Sequence, residues 1–135
     1  MKTFDVQAIS LNVSQQQAFT FIADAMRLPE WAQAFASVAG KRALMRTPNG
    51  EVEIDLDVHA SAENGTVDWY MTFPDGSTGV AYSRVVELSH DNCAYSFILK
   101  APPAPLEQLE GALDMQSKML TEELTKLKGI LEHGQ

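Results

Sequence analysis

Residues 14–31, SQQQAFTFIADAMRLPEW, decide the fold. Ser14 stands three residues before Gln17, the spacing of a capping box, in which the hydroxyl accepts the Gln17 N–H and the Gln side chain reaches back. Apolar residues then recur at Ala18, Phe19, Phe21, Ile22, Ala25 and Met26, the period of a helix. Pro29 pushes Leu28 out of helical geometry, so the spacing predicts a helix that stops near Arg27. The same proline suits the first position of a second short helix, PEWAQAF, with Trp31 and Phe35 four apart on one face.

On either side of this block the period changes to two. Residues 3–13 are rich in β-branched and apolar types and read as a strand. After the block, residues 37–46 read as one strand, followed by a hairpin turn at Asn49-Gly50. Residues 51–61 alternate, with Val52, Ile54, Leu56 and Val58 on one face and Glu51, Glu53, Asp55, Asp57 and His59 on the other. Further turns at 63–65 and 74–77 bound the strand TVDWYMTF, and 78–88 with 93–100 make a last hairpin. The count is six strands in a meander. The proline-rich break at 101–105 precedes a helix from Leu106 to about Glu132, with Leu106, Leu113, Leu120 and Leu127 seven apart. Such a helix is about 40 Å long at 1.5 Å per residue, enough to cross a small sheet. Leucine heptads also suit a coiled coil, but they run for barely four repeats beside a sheet that needs cover. Docking on the sheet is expected, and a curved sheet gripping one helix leaves a space between them.

The chain has 135 residues, 45% hydrophobic and 21% charged, and reads as a single globular domain over 1–135. A net charge of −8, with scattered basic residues, argues against nucleic acid and anionic membranes as partners. No apolar run suits a signal peptide or a bilayer span. Cys93 is the only cysteine, so neither an internal disulfide nor a cysteine-based zinc site is available. A soluble, cytoplasmic protein is expected, monomer or homodimer, without cofactor.

The order of elements, and the block AFTFIADAMRLPEWAQAF with Ala18, Phe19, Ile22, Asp24, Pro29 and Trp31 at the matching positions, resembles the START and birch-pollen-allergen-like superfamily, SRPBCC. The nearest branch is similar to the small polyketide cyclase/dehydrase-like proteins. The resemblance implies an α+β helix-grip fold: a curved six-stranded antiparallel sheet around a long C-terminal helix, with two short helices after the first strand. It implies a cavity more than it implies a chemistry, since such proteins range from lipid carriers to cyclases to co-chaperones.

Carrying the alternation around the meander gives an expected lining. Trp69, Met71 and Phe73 share one strand face, Val80, Tyr82, Arg84 and Val86 the next, and Tyr95, Phe97 and Leu99 the last, with Met115 or Met119 closing the space from the helix. These residues could equally fill a solid core. An inward Arg84 must be paired, with a ligand carboxylate or enolate or with Glu110, Glu122 or Glu123, and it could also point outward at a bulge. Tyr82 and Tyr95 are candidates for moving protons, or are core residues with satisfied hydroxyls. Asp57, His59 and Asp68 carry metal-ligating atoms, but a solvated strand face is the stronger reading, so no metal site is expected. Three functions are open: binding of a small hydrophobic or aromatic molecule, a cyclase/aromatase-like enzyme using Arg84 with Tyr82 or Tyr95, and an interaction module using the acidic sheet face.

Overall fold

The structure, a computed structural model, describes residues 4–47, 50–100 and 106–133. The chain runs β1 (Phe4–Leu11), α1 (Gln15–Ala23), a 3-10 turn (Ala25–Arg27), α2 (Leu28–Trp31), β2 (Phe35–Ala39), β3 (Arg42–Thr47), β4 (Gly50–Ser61), β5 (Thr66–Thr72), β6 (Thr78–Ser89), β7 (Asn92–Lys100) and α3 (Leu106–His133). The strands form one sheet in the order β1-β7-β6-β5-β4-β3-β2. Every neighbouring pair is antiparallel.

The sheet has seven strands where the sequence predicts six. The extra strand comes from the stretch 37–46, which folds back on itself: Ala39 pairs with Arg42 around the two-residue loop Gly40-Lys41. Gly40 has φ +61°, which fits the first position of a tight hairpin loop and which a side chain would strain. Of the turn expected at Asn49-Gly50, Asn49 lies outside the described residues.

The helical block begins as predicted. Ser14 Oγ accepts from the Gln17 N–H at 3.1 Å, and Ala18, Phe21 and Ile22 are buried. Asp24 ends α1 and opens the following turn by accepting from the Met26 N–H at 3.1 Å. The second helix is much shorter than PEWAQAF predicts. It closes at Trp31 with the Ala32 N–H on the Leu28 carbonyl at 2.7 Å, and Phe35 already pairs with Met45 in the sheet. Pairing with β3 overrides local helix propensity there. Since β1 and β2 are opposite edges of the sheet, the two short helices carry the chain from one edge to the other.

The terminal helix docks on the sheet. Leu120, Leu124, Leu127 and Leu131, spaced four, three and four apart, form one buried stripe. Polar contacts fasten the helix along β1 and just beyond it: Gln7 Nε2 donates to the Ser117 carbonyl at 2.8 Å, Lys128 Nζ to the Ser10 carbonyl at 2.6 Å, and the Asn12 N–H to Glu132 Oε2 at 2.8 Å. This face of the helix is therefore occupied, which excludes it as a coiled-coil seam.

The phase of β6 is the opposite of the one predicted. Ala81, Ser83 and Val85 are buried on the helix side, while Tyr82, Arg84 and Val86 are exposed on the other face and Val80 alternates with them. Register explains this. Ala81 lies between Trp69 of β5 and Leu99 of β7, Ser83 lies opposite Phe97, and Val85 opposite Tyr95. Bulky side chains on both neighbouring strands leave room only for small ones between them.

Candidate functional site

Between the concave side of the sheet and α3 lies a hollow of about 130 Å³. Its walls come from Leu28 and Trp31 of α2, Ala32 and Ala34 of the following loop, Phe35 and Met45 of β2 and β3, Trp69 and Met71 of β5, Ala81 of β6, and Phe97 and Leu99 of β7. The helix closes it with Gln116, Met119, Leu120 and Glu123. The small Ala81 side chain is what keeps the floor open between the two large aromatic rows. Two larger depressions, between α1 and the end of α3 and on the outer face around Arg42, His59 and Tyr70, are more open to solvent and carry a larger share of polar lining. Mostly apolar walls with a few polar atoms are what a small-molecule site requires, and the hollow under α3 is the most apolar and the least open of these three.

Of the expected lining, Trp69, Met71, Phe97 and Met119 border the hollow, as does Leu99. Tyr95 is 0% exposed and sits behind the wall, its ring edge-on to Trp31 at 6.4 Å and to Phe97 at 6.3 Å. Phe73 is half-buried and approaches Gly79, away from the hollow. Met115 is 60% exposed, because it lies off the leucine stripe of α3. Tyr82 and Arg84 are on the outer face, for the register reason given above. Arg84 Nε donates to the Asn64 carbonyl at 3.2 Å, and its guanidinium is neither buried nor turned toward Glu122 or Glu123. Of the groups named for a cyclase-like reaction, Arg84 and Tyr82 are thus outside the hollow and Tyr95 is not among its lining residues.

The sequence reading favoured Trp31 as packing rather than as a wall residue, named Glu123 only as a possible partner for an inward Arg84, and missed Gln116. Trp31 was legible as a packing residue, which it is; that it also borders a space depends on Ala32 and Ala34 beside it being small. Glu123 is one position from Leu124 in the buried stripe, and only its neighbours across space reveal it. It is 9% exposed, and one oxygen accepts from the Ala34 N–H at 3.2 Å. Burial, ahead of the opposing hydrogen bonds from Ala34 and Gln33, holds its carboxyl above the usual carboxylate range.

Four polar atoms in this region are buried without a hydrogen-bond partner: Trp31 Nε1, Trp69 Nε1, Tyr95 Oη and Gln116 Oε1. Ser83 and Trp69 both come near the Tyr95 hydroxyl and weakly oppose the upward push of burial on its acidity. Neither reaches hydrogen-bonding geometry with it; the Ser83 hydroxyl donates to the Val67 carbonyl at 2.5 Å. On the outer face, His59 Nε2 and Asp57 Oδ2 are 2.9 Å apart, the His59 ring lies 4.4 Å from that of Tyr70, and Arg42 pairs with both Glu53 and Asp55. Among the described residues, no three His, Cys, Asp or Glu side chains are grouped to hold a metal ion. No helix there is long and apolar enough to cross a membrane.

Comparison with solved structures gives the same fold across essentially the whole chain. A START superfamily protein from Mycobacterium smegmatis superposes with a TM-score of 0.72 at 13% identity, covering 99% of this chain and 100% of that one. A protein from Deinococcus radiodurans superposes with a TM-score of 0.71 at 15% identity, over 98% and 100%. The Zhui aromatase/cyclase from a Streptomyces species superposes with a TM-score of 0.70 at 7% identity, over 97% and 92%. No family model and no curated protein matches the sequence. The fold is that of the START superfamily; at these identities the likeness speaks for architecture alone.

Proposed function

We propose that this START-fold chain binds one small apolar or aromatic molecule in the hollow under α3. The observation that carries the reading is the hollow itself: about 130 Å³ walled by Trp31, Trp69, Phe97, Met71 and Met119. An apolar hole of about 150 Å³ in another protein takes up benzene. The space is therefore ring-sized, well below the roughly 300–1,000 Å³ of drug-sized sites. Two indoles and a phenyl ring supply apolar aromatic wall, and flexible methionines adapt to a guest's outline.

The cyclase/aromatase reading draws on the likeness to the Zhui aromatase/cyclase. It needs room to fold a poly-carbonyl chain, and the hollow is too small for one while α3 sits as it does. Arg84 and Tyr82 are also on the wrong face, so binding without turnover is favoured. The interaction-module reading loses ground because Arg42 already partly neutralises the acidic strand face.

The test is a titration of ¹⁵N-labelled protein with toluene. Shifts concentrated on the residues around the hollow, and abolished by Ala81→Met, are expected. Ala81→Met fills the floor and risks overpacking by about 1–3 kcal/mol, so its folding is checked by the same spectrum. Saturable shifts elsewhere, or none in the wild type, would refute the reading.

A further inference from the structure

One piece of the wall belongs to no helix or strand. Residues 32–34 link α2 to β2, and Ala32 and Ala34 both border the hollow. This strap is tied on two sides. Toward the sheet, the Arg46 N–H donates to the Ala34 carbonyl at 2.7 Å, and Arg46 Nη1 to the Gln33 carbonyl at 2.8 Å. Toward the helix, both ties end on carboxyls of α3. Glu122 Oε2 accepts from Gln33 Nε2 at 3.3 Å, and Glu123 Oε2 from the Ala34 N–H at 3.2 Å.

The two carboxyls sit in different surroundings. Glu122 is exposed, whereas Glu123 is 9% exposed and lines the hollow. Among the described residues no Lys, Arg or His forms an ion pair with Glu123. On α3 itself Glu122 is a like charge beside it. From β7 comes the Tyr95 hydroxyl, which burial keeps protonated. From β3 comes Arg46, whose guanidinium is taken up by the Gln33 and Phe35 carbonyls at 2.8 and 3.5 Å. Glu30 of α2 is exposed and paired with Arg27. An ionised Glu123 is therefore a buried charge held by backbone N–H groups alone, which is strongly unfavourable beside the same group in water. The protonated acid is neutral and still offers an oxygen to the Ala34 N–H.

Resting on the reading that the hollow holds a ligand, we infer that residues 32–34 are a pH-responsive strap over it, held down on α3 while the Glu123 carboxyl carries a proton and loosened when that carboxyl ionises. Lifting the strap brings water to the carboxylate and unroofs the space at Ala32 and Ala34. Burial favours the neutral acid in the closed form, so closing takes up a proton. Opening therefore grows as pH rises from the ordinary carboxyl value of 4.5 toward the raised one of the closed form, and levels off above it. One proton allows at most about tenfold per pH unit within that window. Entry and exit of a guest quicken over the same range.

Amide hydrogen exchange on the ¹⁵N-labelled full chain, from pH about 4 to about 8, reads the strap without any ligand. The reporters are the Ala32 and Phe35 N–H groups, which bond to the Leu28 and Ala32 carbonyls at 2.7 and 3.1 Å and not to Glu123. Once intrinsic exchange rates are divided out, their protection is expected to fall by at least about threefold over that range in the wild type. It should stay level in Glu123→Gln, which is neutral throughout and keeps an acceptor. Glu122→Gln should retain the fall, because the carboxyl it removes is exposed. Toluene dissociation, followed by exchange spectroscopy, should quicken with pH in the wild type and ignore pH in Glu123→Gln.

Strap protection that is level with pH in the wild type, or that falls equally in Glu123→Gln, would overturn the inference. A fall confined to the Val67 and Tyr95 amides of the sheet centre would do so too, since these exchange by global unfolding. Loss of the fall in Glu122→Gln would move the switch to the wrong carboxyl, and toluene dissociation that ignores pH while the strap responds would remove the strap as its door. If toluene does not bind, the ligand reading fails, while amide exchange still decides whether the strap answers to Glu123. The wild-type pH series decides the matter even where a variant fails to fold.

Discussion

Replacing Tyr95 by Phe should make the protein more stable. The side chain is 0% exposed and its hydroxyl has no hydrogen-bond partner. Folding therefore strips that hydroxyl of water and returns nothing, at a cost of about 1–3 kcal/mol. Against this stand the dispersion contacts of one oxygen atom, about 0.1–0.2 kcal/mol each, of which only a few are lost. The ring contacts with Trp31 and Phe97 are kept. The balance is a gain of about 1–2 kcal/mol, or a rise in melting temperature of about 3–6 °C for a domain of this size. Urea unfolding read by far-UV circular dichroism measures it, with an unchanged slope showing that the surface exposed on unfolding is the same. A variant equal to or less stable than the wild type would mean that the hydroxyl is satisfied in the folded protein, and the reasoning from unpaired buried atoms would fail with it.

Glu123 sets a dependence on pH. Its carboxyl is raised above its ordinary value of 4.5, chiefly by burial, so its contribution is fully favourable below that value and is lost as pH rises through the folded one. Glu123→Gln, which keeps an acceptor for the Ala34 N–H, should gain on the wild type as pH goes from about 4 to 8 in urea titrations; a gap independent of pH would contradict the burial argument. Gly65→Ala should cost about 2 kcal/mol or more, because the residue has φ +73° and an added Cβ would sit 2.3 Å from the Val85 carbonyl oxygen. A loss under 0.5 kcal/mol, roughly the scatter of surface substitutions, would show that the β5–β6 contact gives way easily. Arg84→Ala should leave toluene binding unchanged and stability within about 0.5 kcal/mol, since the guanidinium lies on the far side of the sheet; loss of binding would restore an inward Arg84.

What was legible in the sequence follows physical lines. The Ser14 cap, the alternation of β4 and the long final helix are local patterns, each written in neighbours along the chain; the break expected near Arg27 instead falls at Asp24, and Leu28 before the proline is helical. The phase of β6 is not local. Both of its faces carry apolar residues, and the larger set, Val80, Tyr82 and Val86, is the outward one. The deciding constraint sits on β5 and β7, where Trp69 and Phe97 already fill the space. Gly40-Lys41 hid a strand because it lacks the Asn or Asp of a strong hairpin loop. Glu123 was legible only as a possible partner for Arg84 and Gln116 not at all, and only the elements packed across from them turn both into walls. The site was thus half visible: its aromatic floor could be read from strand alternation, its polar lid could not.

The slenderness of β6 has a consequence for how ligand range would change over time. Position 81 contributes a single methyl to the floor between its bulky neighbours. Enlarging it shrinks the guest that can enter, and a glycine there admits a longer one, while every hydrogen-bonding group stays where it is. Size selectivity can therefore drift through one methyl while the rest of the wall stays the same.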